Sequence, residues 1–207
     1  MLFNSFEFIF LFLPIALIVY FWLSKQRLVI AAKGWLSFAS LFFYSWWNII
    51  YLPLILGSIL FNFVLGGELA KLASDPVHKN SKTAKTALIT AIAANILLLV
   101  YFKYMDFFIS NTNALLGSSC ELLHIVLPLG ISFFTFTQIA FLVDCYRGEV
   151  KERNYLNYIL FVTFFPHLLA GPILHHKEMM PQFEQLKNKV PNYKNLSAGL
   201  FLFSVGL

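Results

Sequence analysis

The stretch from Gly34 to Gly67, GWLSFASLFFYSWWNIIYLPLILGSILFNFVLGG, carries no charged side chain. It decides the fold class. A run of this length is too long for one helix across a bilayer and slightly short for two, since each span needs about 20 mostly apolar residues. Borrowing Leu28 to Lys33 from the preceding segment makes two spans that meet near SWWNIIYLP, with Lys33 expected to snorkel to the interface. The adjacent Trp46 and Trp47 suit an interfacial aromatic belt.

The rest of the composition agrees. Apolar residues make up 59% of the chain and charged ones 12%, with a mean hydropathy of +0.73. A soluble domain carries about 25% charged residues. The formal charge of +5 sits in short loops between apolar runs, where it orients a membrane protein, and no basic-aromatic surface points to nucleic acid. Neither a nucleotide-binding glycine loop nor a Cys-x-x-Cys pair is present, and Cys120 and Cys145 are too few for a disulfide framework.

The remaining spans follow from hydropathy. Phe6 to Leu23 is the first, with Pro14 inside it. The N-terminus has no basic leader and no small-residue cleavage site after its apolar run, so this helix is expected to be retained. KLASDPVHKNSKTAK (71–85) reads as a loop, Thr86 to Phe102 as the fourth span, and Met105 to Leu123 as an interfacial helix plus loop. Ile125 to Val143 is the fifth span, bracketed by Glu121 and Asp144. Tyr155 to Ile173 is a sixth apolar run broken by Pro166 and Gly171-Pro172. Leu196 to Leu207 is apolar and too short to cross about 30 Å at 1.5 Å per residue. The expectation is an N-terminal portion of a longer protein, with residues 1–207 forming part of a single transmembrane domain.

Lysine and arginine set the orientation. Lys25, Arg27 and Lys33 follow span one, Lys71, Lys79, Lys82 and Lys85 follow span three, and Arg147, Lys151 and Arg153 follow span five. The opposite side has little beyond Lys103. The N-terminus is therefore expected outside, with Cys120 outside and Cys145 inside. A full crossing by Tyr155 to Ile173 would place Lys177, Lys187, Lys189 and Lys194 outside. A segment that dips in and returns keeps them cytoplasmic, and the helix-breaking residues supply the turn. Such backbone is tolerated only when buried in protein or lining a watery cavity.

Two stretches are more specific: LPLGISFFTFTQIAFLVDCYRG (127–148) and FFPHLLAGPILHHKEMMPQF (164–183). Together with MLFNSFEFIFLFLPI at the start and YFKYMDFF after the fourth span, they resemble signature segments of the membrane-bound O-acyltransferase family. The similarity is to its bacterial branch of alginate and peptidoglycan O-acetyltransferases and teichoic acid D-alanyl transfer proteins. The resemblance implies an all-α, polytopic transmembrane helical bundle, about five to six spans plus a re-entrant or broken segment, forming an incomplete version of the family fold. It implies transfer of an acyl group, usually acetyl, from a cytoplasmic thioester donor (acetyl-CoA or a carrier-bound acyl group) to hydroxyls of an extracytoplasmic polysaccharide. A bacterial inner-membrane location and an extracytoplasmic acetyltransferase partner go with that reading. Family members are longer, and their catalytic histidine lies in a later half that matches no position here, so no catalytic residue is carried over.

A sugar hydroxyl is a poor nucleophile at neutral pH, and a histidine near its ordinary pKa of about 6.5 is a suitable general base. Three of the five histidines, His167, His175 and His176, lie close together. A polar residue such as His167 at membrane depth is a functional candidate by default. Its structural reading is a hydrogen bond to a carbonyl freed by Pro166 or the Gly171-Pro172 break. Adjacent histidines on a helix face different ways, and no carboxylate or cysteine spacing completes a metal site; His78 and His124 read as solvated or interfacial.

The substrate-path candidates are His167, Gly171, Pro172, Gln138 and Arg147. Gln138 and Thr135 can be polar glue between helices or can line a tunnel, and Asn62 and Asn95 take the glue reading. Arg147 could meet donor phosphates or pair with Asp144 one turn away. KEMMPQFEQLKNKVPNYKN is amphipathic and basic, suited to the membrane surface. The alternative class is a transporter or polysaccharide-export component, since broken helices with midplane polar residues occur there too; the absence of a central intramembrane charge argues against it.

Overall fold

A computed structural model describes residues 2–75, 81–150, 154–168, 176–185 and 190–206, and every regular element among them is helical. A π-helical turn, Glu7–Phe12, runs directly into α1 (Leu13–Lys25). The widened turn lies just before Pro14, where an α-helical ladder would need the N–H that proline lacks. There the Leu13 N–H reaches the Phe8 carbonyl instead. α2 (Val29–Trp47) is followed by a single 3₁₀ turn, Ile49–Tyr51, and α3 (Leu52–Ser74). These two helices divide the uncharged stretch as expected, and Trp46 and Trp47 at their junction are exposed. Glu7–Lys25, Ile49–Ser74 and Lys82–Leu116 are long and apolar enough to cross a membrane.

α4 (Lys82–Leu116) corrects one expectation. It was to end near Phe102, yet it continues without a break through the Met105 region. Lys103, Asp106 and Asn111 lower the hydropathy there, but none of them breaks a helix. The end comes at Gly117, in the left-handed conformation at φ 64°, a regular helix stop. The returning strand of loop is tied back to the helix. The Asp106 carboxylate accepts from the Leu123 and Ile125 N–H groups at 2.8 and 3.2 Å, and Asn113 Oδ1 accepts from the Cys120 N–H. α5 (Ile131–Arg147) begins six residues later than hydropathy places it, because Pro128 and the left-handed Gly130 precede it.

The most extensive helix contacts are α3 with α5, followed by α1 with α2. At the first crossing Gly66 lets the backbones approach: a Cβ there would sit 2.5 Å from Phe141 Cε1 and 3.2 Å from Cys145 Sγ. Small residues serve this purpose where helices pack in lipid. Ile55, Ile59 and Leu69 of α3 are buried with Phe134, Phe141 and Leu142 of α5 in the main core.

The sixth apolar run is broken as expected. α6 (Tyr155–Thr163) stops at Phe164, which leaves the helical region at ψ 107°, and α7 (Phe165–Leu168) restarts with Pro166 in its first turn. The Phe165 N–H released by the break donates to Ser40 Oγ of α2 at 3.3 Å. An aromatic cluster of Phe8, Phe12, Phe43 and Phe165 holds the restart against the π-helical turn and α2.

Lys33 departs from the snorkelling expectation. It is buried, and its Nζ donates to Asn157 Oδ1 of α6 at 3.0 Å. A hydrogen-bonded partner inside the bundle lets the ammonium stay there. This contact also places the start of α6 beside the start of α2. α8 (His176–Glu184) returns to α6, where Phe183 packs edge-on against Phe164 at 5.5 Å. Val190 and Pro191 then border a hollow with Trp22, Lys25 and Arg27 at the end of α1. The chain thus leaves and regains one end of the bundle between Asn154 and Pro191. α9 (Tyr193–Gly206) runs to the other end, where Phe203 meets Phe8 at 6.5 Å.

Candidate functional site

Two buried polar arrangements come from this packing. The first joins α3, α4 and α5. Asn62 Nδ2 donates to Gln138 Oε1 at 2.6 Å and to Asn95 Oδ1 at 3.1 Å. Asn95 Nδ2 donates back to Asn62 Oδ1 at 2.7 Å and to its own helix at the Ala91 carbonyl. Gln138 Nε2 donates to Ser58 Oγ at 3.1 Å. All three amides are buried, and each offers both donors and acceptors, so one seam can close on itself. The glue reading of Asn62 and Asn95 describes this geometry, and Gln138 is bonded into the same seam. Thr135, one turn before Gln138, is buried with its hydroxyl unpartnered.

The second arrangement surrounds His167. Its backbone N–H is spent on the Phe164 carbonyl. Its side chain lines a cavity of about 380 Å³ between α1, α2, the α6–α7 break and α8. Leu17, Tyr20, Leu36, Phe164, Met179 and Phe183 form the walls. The imidazole Nδ1 is buried without a hydrogen-bond partner. Nδ1 thus makes no bond to a carbonyl freed by Pro166, while the Gly171-Pro172 break lies outside the described residues; the Phe165 N–H at the first break donates to Ser40 Oγ. Mostly apolar walls, with the unpartnered imidazole nitrogen and Gln182 among them, offer a ligand an apolar bed and a few polar contacts.

The other candidates stand apart. Arg147 is exposed at the end of α5, and Asp144, one turn earlier, is 2% exposed. The turn after Arg147 closes with Glu149 N–H on the Asp144 carbonyl. Gly171 and Pro172 lie outside the described residues, as do His78 and His175. His124 is exposed, in a left-handed conformation at φ 49°. Cys120 is exposed and Cys145 buried, and neither is in a disulfide. Among the described residues no group of three His, Cys, Asp or Glu side chains could hold a metal ion. The Lys33–Asn157 bond was not foreseen, since its partners are 124 residues apart and no spacing rule connects them.

Long apolar helices knitted by buried amides and opened by one broken segment define an α-helical membrane bundle. Similarity makes this more specific. The chain is 43% identical to the peptidoglycan O-acetyltransferase of Helicobacter pylori, an alignment that takes in 100% of this chain and 43% of that protein. It is 36% identical to the probable alginate O-acetylase AlgI of Pseudomonas putida over 100% of this chain and 41% of the relative. With the probable alginate O-acetylase AlgI of Pseudomonas aeruginosa the identity is 35%, over 93% and 36% respectively. The chain belongs to the membrane-bound O-acyltransferase family, alongside these bacterial O-acetyltransferases. It spans less than half the length of the curated relatives it matches. No family model matches the chain, and no solved structure does.

Proposed function

We propose that these residues form part of a bacterial inner-membrane, multi-pass O-acetyltransferase. It would take an acetyl group from a cytoplasmic thioester, acetyl-CoA or a carrier-bound acyl group, and pass it to hydroxyls of an extracytoplasmic polysaccharide. The observation that carries this reading is the alignment of the chain with relatives named for O-acetylation of peptidoglycan and alginate. In this reading the end of the bundle that holds Lys25 and Arg27 is cytoplasmic by the positive-inside rule. Residues 154–191 then form a re-entrant excursion, which the return of Val190 and Pro191 to that end supports.

Transfer needs a base for the hydroxyl proton and donors for the developing oxyanion. A base works best when its second nitrogen is held by a carbonyl or carboxylate. His167 Nδ1 has no such partner, so this reading gives His167 a place in the wall of the acyl route and assigns the general base to none of the described histidines. An extracytoplasmic acetyltransferase would complete delivery to the polymer.

The test is acetyl transfer by the purified full-length protein in lipid, with labelled acetyl donors and with peptidoglycan and alginate as acceptors. Transfer that depends on the membrane protein is the expected result. No transfer from any thioester to either polymer, with or without a partner enzyme, overturns the reading. Substantial transfer by the 207-residue chain alone would relocate the base to one of its own side chains.

A further inference from the structure

The end of α1 carries a feature that the acyl-transfer chemistry does not use. Lys25 closes the helix and Arg27 follows two residues later, and both line one hollow of about 950 Å³. The other walls are Phe21, Trp22, Ser24, Val29 and, from beyond α8, Val190 and Pro191. Two cations over aromatic and aliphatic walls, at the end of a membrane-crossing helix, match an amphiphile: an anionic head beside the cations and hydrocarbon against Trp22.

The backbone favours the same conclusion. Arg27 N–H bonds to the Ser24 carbonyl and Leu28 N–H to the Leu23 carbonyl, the paired bonds of a Schellman stop. In that motif the residue in the left-handed conformation is usually glycine, because a Cβ is strained there. Here it is Arg27, at φ 61°. The chain keeps a guanidinium where the backbone would prefer no side chain at all. The plain alternative for Lys25 is compensation of the helix dipole; it does not account for Arg27, which lies past the last turn.

We infer that the Lys25–Arg27 hollow binds the phosphate headgroup of an anionic phospholipid of the adjacent leaflet. The mostly apolar walls favour a lipid over a soluble phosphate ester, whose remaining polar atoms would find Ser24 but otherwise face Phe21, Val29 and Val190. This inference is independent of the proposed transferase activity, because lipid retention is read without any acyl donor.

The experiment uses the full-length protein in neutral detergent and counts retained lipid by native mass spectrometry. Phosphatidylglycerol is titrated against phosphatidylcholine. An anionic surface attracts each nearby cation strongly enough to change affinity roughly fivefold. Lys25→Gln is therefore expected to weaken phosphatidylglycerol binding about fivefold and Lys25→Gln/Arg27→Gln about twenty- to thirtyfold, with phosphatidylcholine unaffected. Lys82→Gln/Lys85→Gln removes the same charge at the start of α4 and should change affinity less than about twofold, since neither side chain lines the hollow. Arg27→Gly separates binding from folding: affinity should fall while the melting temperature holds or rises. Equal losses in the two double variants, equal binding of the two lipids, or undiminished affinity in Arg27→Gly would overturn the inference. So would displacement of the lipid by millimolar acetyl-CoA or inorganic phosphate, which would make the hollow a site for soluble phosphates.

Discussion

The α3–α4–α5 seam and the α6–α7 break both place polar side chains deep in an apolar bundle, and they treat them in opposite ways. In the seam, Ser58, Asn62, Asn95 and Gln138 bond to one another, leaving the amides satisfied. At the break, the backbone is satisfied by Ser40 while His167 Nδ1 faces its surroundings unpartnered. A buried polar group that is paired contributes to cohesion; one left open is costly unless something else meets it. Polarity at membrane depth therefore does not by itself mark a functional residue. Whether its valences are filled by the protein is the better guide.

The two regions touch at Gly130, and altering that contact should give the largest effect. Gly130 is left-handed at φ 64°, and a Cβ there would lie 2.8 Å from the Leu168 carbonyl oxygen at the end of α7. Gly130→Ala adds backbone strain to an overlap with a backbone atom and is expected to destabilise by about 2–4 kcal/mol, measured by unfolding in detergent. A loss below about 0.5 kcal/mol would mean that α5 and α7 are not in fixed register. Next in size is Asn62→Leu, which removes the hub of the seam and strands Asn95 and Gln138. A loss of about 1–3 kcal/mol is expected, near the upper end of what interhelical bonds in lipid supply. A cycle with Gln138→Leu should show clear non-additivity, and simple additivity would break the picture of one connected seam. The smallest effect belongs to His167→Phe. Replacing an unpartnered imidazole by an apolar ring should change stability by less than about 0.5 kcal/mol, while acetyl transfer by the full-length protein drops. A large loss of stability would show that His167 is structural after all, and the contrast with the seam would disappear.

Much of the bundle could be read from hydropathy, because lipid imposes a strong rule on which side chains may face it. The division of Gly34 to Gly67 into two helices and the interruption before Pro166 both follow from local chemistry. What hydropathy missed has a shared cause. A helix in lipid and a helix in water have the same backbone but different surfaces, so the polar residues after Phe102 changed the second without affecting the first. Lys33 was misread for a related reason: a lysine near a helix start usually extends to water, and only tertiary structure supplies Asn157. The amides of the seam were legible as a residue type suited to joining helices, and their partners were not, since the pairings join helices far apart in sequence. His167 stood out as a candidate, but the cavity beside it depends on the return of α8.

α4 has a consequence for the membrane itself. Its 35 residues extend about 52 Å at 1.5 Å per residue, more than the roughly 40–45 Å of a whole bilayer with its headgroups. Even at an ordinary tilt of about 20° the rod outreaches both surfaces. It acts as a yardstick that cannot be shortened: a thinner or thicker bilayer changes how far its tip stands in water, but not the height of Asn95 above its base.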